Sequence, residues 1–203
     1  MAKSQYGVNV INNMYRRRKK AGNYAFIDNQ NLNLGVRKLG WKMDWRKFRK
    51  YLEEKHGVTK AFMFIGHMPE HEDMYLKLHD AGYLIVLKPT FDMTKLPKID
   101  SSKKEDEKSE DKKVIKGNVD AELVLWAVKE MPNYQKAVIV SGDGDFYSLV
   151  EYLDQQKKLK VLLTPNSQYS NLYNKFEKYI ERIDKHRAEL SYWQGKSKPA
   201  PKS

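Results

Sequence analysis

Residues 137–146 read AVIVSGDGDF. A short apolar run, Ala137 to Val140, stops at Ser141, and Asp143 and Asp145 follow with one glycine between them. A continuous run of this length, with no polar alternation, is a strand covered on both faces. Two like charges therefore stand at the end of a core strand. Carboxylates this close repel, and each resists ionising beside the other. Either the pair lies idle in water or something positive is brought to it.

The flanking chain repeats the pattern. Residues 24–27 are a short apolar run that ends at Asp28, and a polar loop with Asn29, Gln30, Asn31 and Asn33 follows, closing near Gly35. Asp44 is placed to cap a helix that carries Trp45, Phe48 and Leu52 on one face and stops at Gly57. Strands are expected at 61–65, 83–87 and 159–163, with helices over 70–81, from Asn118 onward, over 146–155 and over 171–183. Strand and helix alternate along the chain, which predicts an α/β fold with an open parallel sheet of about five strands covered by helices on both faces. In such sheets ligands bind outside the carboxyl ends of the strands. If the winding reverses after the third strand, the first and fourth lie side by side, and Asp28 joins Asp143 and Asp145. Asp120, in the first turn of the helix before the fourth strand, is a fourth acid for the group. The helix dipole alone is a sufficient structural reason for a carboxylate there.

The chain has 203 residues, enough for one domain with tails and for a core that needs no metal or disulfide staple. The absence of cysteine excludes disulfides, thiolate zinc sites and cysteine nucleophiles. Against 26 Asp and Glu stand 38 Lys and Arg, a formal net charge of +12. That excess suits a polyanionic partner, nucleic acid first; a lysine-rich solvated surface is the plainer account. No apolar stretch is long enough to span a bilayer and no apolar signal core opens the chain, so no membrane partner and a cytoplasmic location are expected. Residues 1–22 are expected to be a basic arm, with Arg16, Arg17, Arg18, Lys19 and Lys20 available to a phosphate backbone, and Lys116 near the acids to assist. Residues 98–113 balance charges of both signs and read as an inserted loop within a domain of 23–183, and 184–203 as a tail.

Other signals are weaker. His67 and His71 have helical spacing but no third ligand, and Pro69 places His67 before the helix. Ser141 beside glycine does not make a nucleophile elbow, and no Lys-Ser or Lys-Thr follows the glycines as in a P-loop. Tyr169, Tyr173 and Tyr179 interleave with lysines and are either core and rim or stacking platforms for bases. Several acids together without cysteine or a histidine partner describe a site for a hard cation, magnesium or manganese.

The stretch Phe26, Ile27, Asp28, Asn29, Gln30, Asn31, Leu32 resembles the opening motif of NYN domains, the LabA-like branch of the PIN-like nuclease superfamily. Residues 116–120, KGNVD, resemble their middle motif, and residues 140–146, VSGDGDF, their last, usually written SGDxDF. The resemblance covers residues 23–183. It implies a Rossmann-like (PIN-like) three-layer sandwich with strand order 3-2-1-4-5, a Mg²⁺ or Mn²⁺ cofactor and ribonuclease activity, with Asp28, Asp120, Asp143 and Asp145 as metal-binding catalytic acids and Asn31 and Ser141 as polar supports. RNA is the expected substrate and DNA the alternative. A non-cutting module that binds RNA or protein is also open, as is pairing into a homodimer, which PIN-like domains often show. The chain departs at Trp126, where some relatives carry a further acid.

Overall fold

The computed structural model describes residues 22–67, 71–89, 91–92, 115–116 and 119–192. The basic block at 16–20, the 98–113 insertion, Asn118 and the last part of the tail lie outside them.

Six strands form one parallel sheet: β1 (Asn23–Asp28), β2 (Val58–His67), β3 (Leu84–Pro89), β4 (Ala137–Val140), β5 (Leu159–Thr164) and β6 (Ile180–Arg182). Their spatial order is β3-β2-β1-β4-β5-β6, so the winding reverses between β1 and β4, as the sequence led one to expect. Tyr24 pairs with Ala137 and Ile27 with Val140, so the two strands run in step to their carboxyl ends. The helices are α1 (Asn29–Arg37), α2 (Trp45–His56), α3 (Glu72–Asp80), α4 (Asp120–Lys129), α5 (Tyr147–Gln155) and the short α6 (Arg187–Leu190).

Because side chains alternate across a strand, the sheet sorts its apolar residues into two cores. Ala25, Ile27, Met63 and Val140 face α1, α2, α3 and the C-terminal turns through Leu32, Val36, Leu52, Leu78 and Leu190. Phe26, Phe62 and Ile139 face α4 and α5 through Leu123, Ala127, Leu149 and Leu153. Phe26 and Phe62 stack with ring centroids 5.5 Å apart. Burial of each such ring contributes about 1.5–3 kcal/mol.

The boundary signals in α2 act as read. The Asp44 carboxylate accepts from the amides of Arg46 and Lys47 at 3.1 and 3.2 Å. Gly57 ends the helix in the left-handed region, at φ 65°.

Three expectations change. Residues 29–37 are a helix and not a loop: Asp28 accepts the Asn31 amide at 3.0 Å as its cap, and Leu32 and Val36, one turn apart, bury against the sheet. Asn and Gln favour turns locally, but burial of that apolar pair outweighs them. Residues 171–183 are not one helix. A 3-10 stretch, Asn171–Tyr179, kinks at Phe176, and the chain then extends into β6 along the open edge of β5, pairing Leu162 with Ile180. The pairing groups offered by that edge are a tertiary feature absent from local spacing. Residues 184–192, read as the start of the tail, pack on the body: Leu190 is buried and Ser191 bridges Met43. The short pieces Phe91–Asp92 and Ile115–Lys116, on either side of the insertion, pair antiparallel with each other.

Candidate active site

The acids gather at the carboxyl ends of β1 and β4. Asp28 ends β1, half-buried, with both oxygens engaged: Oδ1 accepts the Asn31 amide, and Oδ2 accepts the Ser141 hydroxyl at 3.0 Å. Ser141 is fully buried, and its Oγ also accepts the Asp143 amide at 3.1 Å. One hydroxyl thus ties the end of β1 to the loop after β4. The Asn31 side-chain oxygen, Oδ1, accepts the Gly142 amide at 2.8 Å, a second tie between the same two loops. Asp143 Oδ1 accepts the Asp145 amide at 3.0 Å and caps the 3-10 turn Gly144–Phe146. The Asp145 side chain is the most open of the four, and Asp120 stands at the first position of α4.

Electrostatics links all four. Burial pushes the Asp28 carboxyl above the usual carboxylate value; the Asn31 and Ser141 hydrogen bonds pull it back, and the charges of Asp120 and Asp143 push it up again. Burial also raises Asp120, with further increments from the charges of Asp143 and Asp145, while Lys88 pulls it down. These groups repel one another across the strand ends.

The sequence pointed to Asp28, Asp120, Asp143 and Asp145 as one constellation, and the fold brings them within one another's field. It does not arrange them as a finished cage. Among the described residues, no three His, Asp or Glu side chains form a group that could hold one ion. The oxygens of Asp28 and Oδ1 of Asp143 are turned to amides and a hydroxyl of the two loops themselves. The donor set nonetheless suits a hard cation that keeps several waters and takes only one or two carboxylates directly. Ser141 and Asn31 sit where they support the acids. Lys116 lies in the short strand piece paired with Phe91.

Two residues near the acids were not tied to them by the sequence reading. The Tyr173 hydroxyl donates to the Asp143 carbonyl oxygen, and burial and the charges of Asp143, Asp145 and Asp28 push its pKa up. Its only signal was a place in a tyrosine-rich stretch. Lys88, near the end of β3, lies 3.5 Å from Glu122 and acts on Asp120. Nothing local marks it, because α4 comes to it from far along the chain. The loop glycine has a visible reason: a Cβ on Gly144 would lie 2.6 Å from Ser170 Oγ.

Comparison with known proteins agrees with this architecture. The sequence profile of the NYN domain matches residues 24–184. The low amplitude and bright protein LabA of Synechococcus elongatus is 26% identical over 164 residues, spanning 78% of this chain and 82% of that protein. A crystal structure of a protein of unknown function from Vibrio parahaemolyticus superposes with a TM-score of 0.61 at 20% identity, covering 87% of this chain and 99% of that one. The latter shows the fold alone.

Proposed function

The chain belongs to the NYN-domain family, a branch of the PIN-like nuclease superfamily, and from that premise we propose that it hydrolyses phosphodiester bonds of single-stranded RNA, with Mg²⁺ or Mn²⁺ as cofactor. The observation that carries the reading is the hydroxyl bridge from Asp28 through Ser141 to Asp143, which holds two repelling acids at the ends of adjacent strands. A fold gains nothing from that repulsion, whereas a cation site needs it.

Asp28, Asp143 and Asp145 would hold the ion, some of them through water. Bound there, a divalent ion would lower the pKa of a water and offset charge on the leaving oxygen. Asp120 is the general base: its raised pKa makes it the better proton acceptor toward an attacking water. Ser141 and Asn31 fix the two loops against each other, and Tyr173 fixes the Asp143 carbonyl, so the acids do not reorganise during the reaction.

Incubation of labelled single-stranded RNA with the protein and Mn²⁺ or Mg²⁺ is expected to give product, and Asp143→Asn to abolish it while far-UV circular dichroism and Tm stay native-like. A purified Asp143→Asn protein that cuts as fast as the parent removes the assignment. A second reading has its own support, since the carboxylates are engaged locally: a module that binds RNA without cutting it. Salt-sensitive retention of RNA with no product under either metal would favour that reading. Parallel digestion of DNA oligomers tests the alternative substrate.

A further inference from the structure

At the far end of α1 from Asp28 lies a concavity of about 380 Å³ lined by Arg37, Trp41, Lys42, Arg187 and Tyr192, among others. The helix has 9 residues, so the pocket is roughly 13 Å from the acids along its axis. Two segments far apart in sequence build it and are pinned together. The Tyr192 amide donates to the Lys42 carbonyl at 2.9 Å, the Asp44 amide to Leu190 at 2.9 Å, and Lys47 Nζ to the Ser191 carbonyl at 3.0 Å. No Asp or Glu is among its described lining residues.

The chemistry of the walls is mixed in a particular way. Arg37, Lys42 and Arg187 are exposed cations, and Arg187 reaches the carbonyls of Leu39 and Gly40 only at 3.5 Å, which leaves its guanidinium donors largely free. The Tyr192 ring is 63% exposed beside them. Trp41 is only 6% exposed, and its indole N–H has no hydrogen-bond partner among the described residues. A buried donor without an acceptor costs free energy. Cations alone would suit any polyanion. Cations that share a concavity with an open aromatic ring suit a phosphate together with the base attached to it.

We propose that this pocket is a nucleotide-binding subsite for single-stranded RNA: Arg37, Lys42 and Arg187 take backbone phosphate, Tyr192 stacks a base, and the bound strand runs along α1 toward the acids. The subsite deepens the ribonuclease reading, and a strand anchored here would have its cut position set by the length of α1.

Fluorescence anisotropy of a labelled single-stranded RNA oligomer tests it, with the full chain in EDTA so that binding is read without cleavage. Relative to the parent, Arg37→Ala combined with Arg187→Ala is expected to weaken binding at least about tenfold and to reduce the slope of log K against log salt by roughly 1.4, the value for two lost phosphate contacts on a single strand. Lys42→Ala, which disturbs no side-chain hydrogen bond among the described residues, is expected to reduce the slope by roughly half as much. Tyr192→Ala is expected to cost about tenfold, and Tyr192→Phe, which keeps the ring, to restore affinity. Lys136→Ala, an exposed cation at the amino end of β4 and not among the pocket's lining residues, is the control for loss of charge. Unchanged affinity and slope in folded pocket variants, or equal losses in the Lys136 control, overturn the proposal. So does a parent protein that binds no RNA, or pocket variants that lose binding to phosphatidylserine vesicles but not to RNA. Binding that depends on the pocket with no cleavage under Mn²⁺ would remove the nuclease reading and leave the subsite. Cleavage by the parent with pocket variants that bind normally would do the reverse.

Discussion

Ser141 uses one hydroxyl twice, donating to Asp28 and accepting from the Asp143 amide. It is fully buried, so Ser141→Ala leaves that amide and one carboxylate oxygen short of partners. The expected loss is about 1–3 kcal/mol, read as a shift of the urea midpoint with unchanged slope. Asp120 behaves in the opposite sense. Its pKa is raised by burial and by Asp143 and Asp145, so its charged form is disfavoured in the fold. A carboxyl raised in this way contributes most when protonated, and that contribution is lost as pH rises through the folded value. Near neutral pH, Asp120→Asn removes one member of the repelling group. The Tm is expected to rise by roughly 1–3 °C at low salt. The gain should shrink as salt screens the acids. RNA cleavage should fall in the same variant. A variant that loses stability would show that Asp120 is held for its packing and capping and not against its charge.

The α1 helix shows how an element can be decided by what lies beside it. Its sequence, NQNLNLGVR, is polar enough to read as a loop, and only Leu32 and Val36 speak for a helix. Gly35 is required by a close approach: a Cβ there would stand 2.4 Å from Pro165 Cβ. The Gly35 carbonyl also accepts Asn166 Nδ2 at 2.9 Å, so the helix is clasped to the turn after β5. Gly35→Ala would gain about 1 kcal/mol of helix propensity. Overpacking against a buried turn costs about 1–3 kcal/mol, so the net expectation is destabilisation by thermal melting. Because α1 carries Asn31 and begins on Asp28, the same substitution should lower activity. A more stable and equally active variant would mean the turn yields freely. Elsewhere the sequence was a good guide. Asp44 and Gly57 bound α2 as their chemistry demands, and the apolar runs at 24–27 and 138–140 are β1 and β4. The last helix was misread because Tyr179, Ile180 and Ile183 have helical spacing, while the sheet edge that draws residues 180–182 into β6 is formed by β5.

The β6 edge of the sheet responds to protons differently from the acids at the strand ends. On the C-terminal side, Glu181 in β6 gathers Tyr51, Lys55 and His56 of α2 and His186: Lys55 Nζ lies 2.6 Å, His186 Nε2 3.3 Å and His56 Nε2 3.8 Å from one of its oxygens. Burial lowers His56 below its ordinary 6.5 despite the carboxylate, consistent with a ring only 5% exposed. Burial raises Glu181, but the bonds from Lys55 and Tyr51 and the nearby charges outweigh it, and its pKa falls below the ordinary 4.5. Both signs act together. Below pH 6.5 the unfolded chain takes a proton at this histidine before the folded one does, and below 4.5 the same holds for the carboxyl. Stability should therefore decline on acidification in two stages, and His56→Gln should flatten the first. A Tm profile that stays as steep between pH 7 and 5.5 in that variant would place the loss elsewhere. The chain's own order of residues already carried the alternation of elements, the helix caps and the acid-bearing loops, because periodicity and capping are local and survive without neighbours. The sixth strand, the α1 helix, the Ser141 bridge and the basic pocket were settled by folding. Each depends on groups brought together from distant positions: an unpaired sheet edge, a turn pressed on a glycine, a hydroxyl between two loops, and cations and a ring from segments some 150 residues apart, a separation on which local spacing is silent.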